Sequence, residues 1–77
     1  MLLLWSMIKK EQALKKLGKR IREIRKEKGM SQVDLASEIG KDQQSIQRLE
    51  SGNVNPSYYY LMEVADGLKI DIKDLFF

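Results

Sequence analysis

Six positions within one stretch of twenty residues narrow the folds open to this chain. Counting from Gln32, apolar side chains fall at the fourth, eighth, fifteenth and eighteenth places: Leu35, Ile39, Ile46 and Leu49. Ala36 stands at the fifth place and Gly40 at the ninth. The four apolar residues lock two short helices together at a steep angle, and Ala36 is small enough to let the second cross close to the first. Gly40 supplies the positive φ of a tight turn. Local signals bound the pair. Ser31 is an N-cap answered three residues later by Asp34, a capping-box variant with Asp in place of Glu. The first helix then runs Gln32 to Ile39 and stops at Gly40. Asp42 caps the second, Gln43 to Ser51, which stops at Gly52.

The flanking segments are also helical. From Lys9 to Lys28 the residues Leu14, Leu17, Ile21 and Ile24 step by three, four and three, making one apolar stripe, with Lys and Arg on the opposite face. Gly29 suits a left-handed C-terminal cap, and Gly18 weakens the pattern, as a bend or a helix start. Asn55-Pro56 caps and opens a fourth helix, with Tyr58, Leu61, Met62, Ala65 and Leu68 as its inner stripe. Asp71 with Asp74 starts a last short helix ending at Phe76 and Phe77. No strand pattern, repeat or linker is found. The expectation is an all-α, five-helix bundle with a helix-turn-helix at about residues 32–51.

A chain of 77 residues makes one domain. At this size about 60% of the unfolded surface is buried, so the core is thin and dimer contacts add stability. A core this thin implies no small-molecule pocket. The chain has no Cys and no His. That removes disulfides, thiolate or imidazole metal sites, the commonest general base and the strongest nucleophile. We therefore expect no enzyme, no cofactor and no metal. Residues 1–28 carry ten Lys/Arg against three Glu, a charge of +7, whereas residues 29–77 carry four against eight Asp/Glu, −4. A basic arm on an acidic remainder fits a polyanion partner, or simply a solvated helix face.

Residues 1–8 are an apolar extension ahead of a single domain, 9–77. The run is too short to span a membrane, and its charge follows the apolar stretch instead of preceding it, unlike a signal peptide. The expected location is cytoplasmic. The extension reads as a loose tail, as sequence upstream of a start at Met7, or as an added helical turn. A dimer contact through Leu2, Leu3, Leu4 and Trp5 is the functional alternative.

Taken together, Leu17-Gly-Lys-Arg-Ile-Arg-Glu-Ile-Arg25, Gly29-Met-Ser-Gln-Val-Asp-Leu-Ala36, Ile39-Gly40, Gln43-Gln-Ser-Ile46, Leu49-Glu-Ser-Gly52, Asn55-Pro56 and Ala65-Asp-Gly-Leu68 resemble the phage-repressor type of helix-turn-helix, the lambda-repressor-like or XRE family. The resemblance runs from about Leu17 to Leu75. It implies a compact bundle of about five helices and transcription regulation by sequence-specific binding of double-stranded DNA, usually by homodimers on paired half-sites. The helix 43–51 is then the recognition helix, whose first residues reach base edges. Gln43, Gln44, Gln47 and Arg48 lie at its start and along one side. Glutamine reads adenine and arginine reads guanine through paired hydrogen bonds. The likeness places Gln43, Gln44 and Arg48 at base-reading positions and gives Ser45 a base or a phosphate. It sets Gln32, Arg22, Asn53 and Asn55 toward the DNA backbone, with a plain helix cap as the alternative for Asn55. It pairs Arg25 with Glu50, partly buried.

Two features depart from the pattern. Asp42 stands where Ser or Thr is common: it repels nearby phosphates, with Lys41 beside it as an offset, or accepts a hydrogen bond from cytosine. The Leu-rich start is foreign to the family core. The alternative to a regulator is a protein-interaction module of the same fold, such as an antitoxin or an assembly partner, which the apolar ends and the −4 remainder favour. A DNA-binding half of a larger regulator is a third reading, weakened by the absence of a linker after the last helix. Tyr58, Tyr59 and Tyr60 form no stacking platform, because successive helical residues point about 100° apart. One packs inward, one is exposed, and one lies near the DNA backbone or a dimer seam. The seam itself is expected at Ile70, Ile72 and Phe76 or at the N-terminal run.

Overall fold

Four α-helices and a closing 3-10 turn succeed one another: α1 Leu2–Glu27, α2 Gln32–Glu38, α3 Gln43–Ser51, α4 Tyr58–Leu68 and the turn Ile72–Leu75. This computed structural model describes the backbone of residues 2–76, and their side chains except those of Leu2, Leu3, Trp5, Met7 and Ile8. The expected dimer contact at Leu2, Leu3 and Trp5, the start at Met7 and the helix end at Phe77 thus lie outside the described residues. No strand occurs among the described residues. The fifth element is a 3-10 turn and not an α-helix. Asp71, the residue before it, makes no side-chain cap.

The first helix is longer than the apolar stripe alone requires. It is 26 residues of unbroken helix, so residues 2–8 continue it without a tail. At 1.5 Å per residue it spans about 39 Å, nearly the long dimension of a molecule measuring 42 × 24 × 21 Å. Gly18 neither bends nor starts it. A Cβ at Gly18 would lie 2.4 Å from the carbonyl oxygen of Glu50 and 2.6 Å from that of Leu49, so the glycine marks where α1 touches the backbone of α3.

All four helices end in the same way. Gly29, Gly40, Gly52 and Lys69 hold φ values of 69°, 68°, 77° and 59°. In each case the next N–H reaches back five residues: Met30 to Arg25, Lys41 to Ala36, Asn53 to Arg48 and Ile70 to Ala65, at 2.9–3.0 Å. This is the left-handed stop that satisfies the last carbonyls of a helix. Lys69 makes it without glycine, the one described non-glycine residue at positive φ. At their starts, Ser31 and Asp34 form a reciprocal capping box (3.0 and 2.9 Å), and Asp42 accepts from the Ser45 N–H at 2.8 Å.

Two expectations for α4 are corrected. Asn55-Pro56 does not open it. Proline disfavours helical backbone in the residue before it, and the cap falls to Ser57, whose Oγ accepts from the Tyr60 N–H at 3.0 Å. The inner face is also rotated from the expected stripe. Leu61, Val64, Ala65 and Leu68 are buried, while Tyr58 and Met62 are 64% and 46% exposed. The reason is the docking partner: Ile39, at the end of α2, packs on α4 at Gly67 and turns that side inward. These residues join Ile21 and Ile24 of α1, Leu35 and Ala36 of α2, Ile46 and Leu49 of α3, and Leu75, in one core.

Candidate nucleic-acid interface

Burial divides α3 along its length. Ile46, Leu49 and Glu50 point inward, and Gln43, Gln44, Gln47, Arg48 and Ser51 are exposed, with Ser45 half-buried. The outward face is therefore a row of three primary amides and one guanidinium. Amides and a guanidinium offer paired donors and acceptors that match base edges. Asp42 fixes the first turn of the helix. The donated Ser45 N–H holds its carboxyl below the ordinary value of 3.8. The cap is therefore charged at neutral pH and is lost only as acidification passes that lowered value.

What aims this row is a polar chain beneath it. Arg25, on α1, is only 6% exposed and Glu50, on α3, 9%. Arg25 grips the carboxylate with two prongs, Nε to Oε2 at 2.6 Å and Nη2 to Oε1 at 3.0 Å, and spends Nη1 on the Met30 carbonyl at 2.7 Å. The bond to Glu50 raises the Arg25 pKa further above its ordinary value. Gln32, the first residue of α2, donates to Glu50 Oε1 at 3.1 Å and accepts from Gln43 Nε2 at 3.5 Å, the latter a long, weak contact. The chain thus runs from a buried charge pair to the surface amide that opens α3, crossing α1, α2 and α3. Burying two charges is costly unless both are paired and hydrogen-bonded, and here they are.

The remaining sequence candidates lie around this row. Arg22 is exposed on α1, and Asn53 and Asn55 are exposed in the loop between α3 and α4. Asn55 is not the cap of α4, because Ser57 is. Gln32 is half-buried, its amide engaged with Glu50 and Gln43 instead of lying free for solvent. Of the three tyrosines, Tyr58 and Tyr59 are exposed and Tyr60 is half-buried beside α3. Sequence reasoning missed the role of Gly18. Gly18 sits one turn before Arg22 within the apolar stripe of α1, and that interior placement was the available clue to a close approach. Among the described residues no group of three or more His, Cys, Asp or Glu could hold a metal ion, and no helix is long and apolar enough to cross a membrane.

A short capped helix carrying amides and a guanidinium outward, packed by a tight turn on a second short helix, defines the helix-turn-helix class. The sequence model of the helix-turn-helix family matches residues 21–75. An HTH-type transcriptional regulator of Archaeoglobus fulgidus is 40% identical over 57 residues, 74% of this chain and 81% of that protein. The restriction-modification controller protein C.AhdI from Aeromonas hydrophila has a solved structure that superposes with a TM-score of 0.83 at 37% identity, covering 84% of this chain and 98% of that one. The controller C.Esp1396I, solved as a tetramer in complex with its natural 35 base-pair operator, superposes at 0.72 with 31% identity, covering 80% and 92%. The chain belongs to the XRE family of helix-turn-helix DNA-binding transcription regulators.

Proposed function

We propose that this protein regulates transcription as a homodimer that binds duplex DNA sequence-specifically, in the manner of a repressor, with the start of α3 in the major groove. The observation that carries the reading is the pairing of an exposed amide row with a buried polar chain that fixes its aim. Gln43, Gln44, Gln47 and Arg48 read bases, and Ser45, Arg22, Asn53 and Asn55 hold the sugar-phosphate backbone, while Gln32, expected at the backbone, is engaged with Glu50 and Gln43 behind the reading face. The work is done by binding, with no catalytic step, and in the cytoplasm. Residues 9–77 form the DNA-binding unit, and residues 1–8 are an apolar extension ahead of it.

One module of this size covers a small interface, which favours a paired site with half-sites about 34–36 Å apart. The operator-bound tetramer of C.Esp1396I supports such an assembly. The seam is assigned to the shallow apolar groove containing Met62, Ile70 and Ile72, together with Phe76, which is 47% exposed. Because acidic residues dominate beyond α1, few cations accompany the readers, and the salt dependence of binding is shallow. Selection from a random duplex library at two salt concentrations tests the reading. Enrichment of a two-fold symmetric site, with A or G under α3, supports it. A folded protein that enriches nothing points instead to an interaction module of the same fold.

A further inference from the structure

On the side of α3 facing α4, the loop before α4 leaves a cleft of about 240 Å³ lined by Ser45, Arg48, Asn53, Val54 and Tyr60. Its inner wall holds an anomaly. The Tyr60 hydroxyl is buried and has no hydrogen-bond partner. A buried polar group without a partner costs stability, and a phenylalanine ring would fill the same space without that cost. The ring itself is well held. It follows the Ser57 cap, and the Lys41 ammonium lies 5.5 Å from its centroid. What needs a reason is the oxygen.

The surroundings suggest the reason. Three of the other lining residues offer donors to an anion: a guanidinium, a hydroxyl and a primary amide. Burial raises the Tyr60 pKa, helped by the Glu63 and Asp42 carboxylates and opposed by Arg48. The hydroxyl therefore keeps its proton, and donates, at any physiological pH. The hydroxyl is buried in the free protein, so an anion reaches it only when side chains lining the cleft move aside. The cleft begins at Ser45, in the first turn of α3, and ends at Asn53, so it borders the reading face throughout.

The geometry points to Tyr60 as a DNA-backbone contact: its hydroxyl, with Ser45 and Asn53, seats one phosphodiester beside the half-site read by α3. This rests on the DNA-binding reading above and names a contact that reading lacks. The seat carries no base information, so it strengthens binding to every sequence alike.

The test is Tyr60→Phe in the full chain, on the duplex that the selection yields. Affinity falls roughly ten-fold, the worth of one hydrogen bond to a charged group, by the same factor on operator and on random duplex. The thermal midpoint of the free protein stays the same or rises. A single neutral methylphosphonate, walked along the operator, identifies the partner. At one position it weakens the wild type and leaves the Tyr60→Phe protein unaffected. Equal affinity of the two proteins overturns the assignment, as does a lower midpoint for Tyr60→Phe, which would mean that the hydroxyl already has a partner. Inorganic phosphate raising the midpoint of the wild type alone, with duplex affinity unchanged by the substitution, would reassign the cleft to a free anion. A wild type that binds no duplex removes the regulator reading together with this one.

Discussion

The flank of α3 that faces α1 and α2 is closed, and the flank that faces α4 is open. On the closed side the buried groups form one engaged chain: Arg25 with Glu50 and Met30, Glu50 also with Gln32, Gln32 also with Gln43. Gly18 brings the backbones of α1 and α3 into contact there. On the open side stand a cleft, an unpartnered hydroxyl and a loose pair, Lys41 with Glu63 at 3.7 Å. The contrast separates two tasks of a recognition helix. One flank holds its angle, so that side chains meet base edges in a fixed frame. The other leaves room for the ligand's own atoms.

Substitutions on the two flanks separate accordingly. The largest effect belongs to Arg25→Ala, which leaves Glu50 buried and unpaired and costs about 3–5 kcal/mol. At about 4–8 °C per kcal/mol for a domain of this size, the melting midpoint falls by roughly 15 °C or more. An unchanged midpoint would remove the clamp from the account. Next comes Gly18→Ala. A methyl 2.4 Å from a carbonyl oxygen cannot be absorbed by a side-chain shift. The overpacking costs about 3 kcal/mol, and the better helix propensity of alanine returns about 1. Chemical denaturation should show a net loss of about 2 kcal/mol, and a gain would mean that the two helices sit further apart. Gln32→Ala removes one of several bonds to Glu50, at about 1 kcal/mol, and frees Gln43. Operator affinity should drop with it, more than stability does. The smallest effect is on the open flank. Glu63→Gln breaks an exposed pair worth at most about 0.5 kcal/mol, and a melt should hardly register it.

The legibility of this molecule in its sequence follows the same line between local and tertiary causes. The bounds of α2 and α3 are readable because Ser31, Asp34, Gly40, Asp42 and Gly52 act within a turn of themselves. The start of α4 was misplaced because Asn55, Pro56 and Ser57 all carry start chemistry, and only the backbone conformation chooses among them. Its inner face was misjudged by one rotation, since Tyr58 and Met62 fit a helical stripe as well as Val64 does. Contact of Ile39 with Gly67 decides between them, and a glycine leaves no apolar mark in the stripe. For the site, the composition of the α3 surface was readable, whereas the inward turn of Gln32 was not. A glutamine at a helix start is equally suited to solvent, to a phosphate or to a buried carboxylate, and the neighbours that choose are eighteen residues away in the chain. The Tyr60 cleft is tertiary throughout.

The four identical helix ends bear on how fast the chain finds its shape. Each stop is written in six consecutive residues, so the signal for where a helix finishes is local and waits on no distant partner. Helices as short as α2, α3 and α4 gain their stability on docking, and these signals bias their bounds while packing forms them. Chains dominated by such short-range closure fold in microseconds to milliseconds. The transition state should be governed by the encounter of α1 with α3. Lys69 marks the one stop made without glycine, so the junction after α4 is where refolding has the least local guidance.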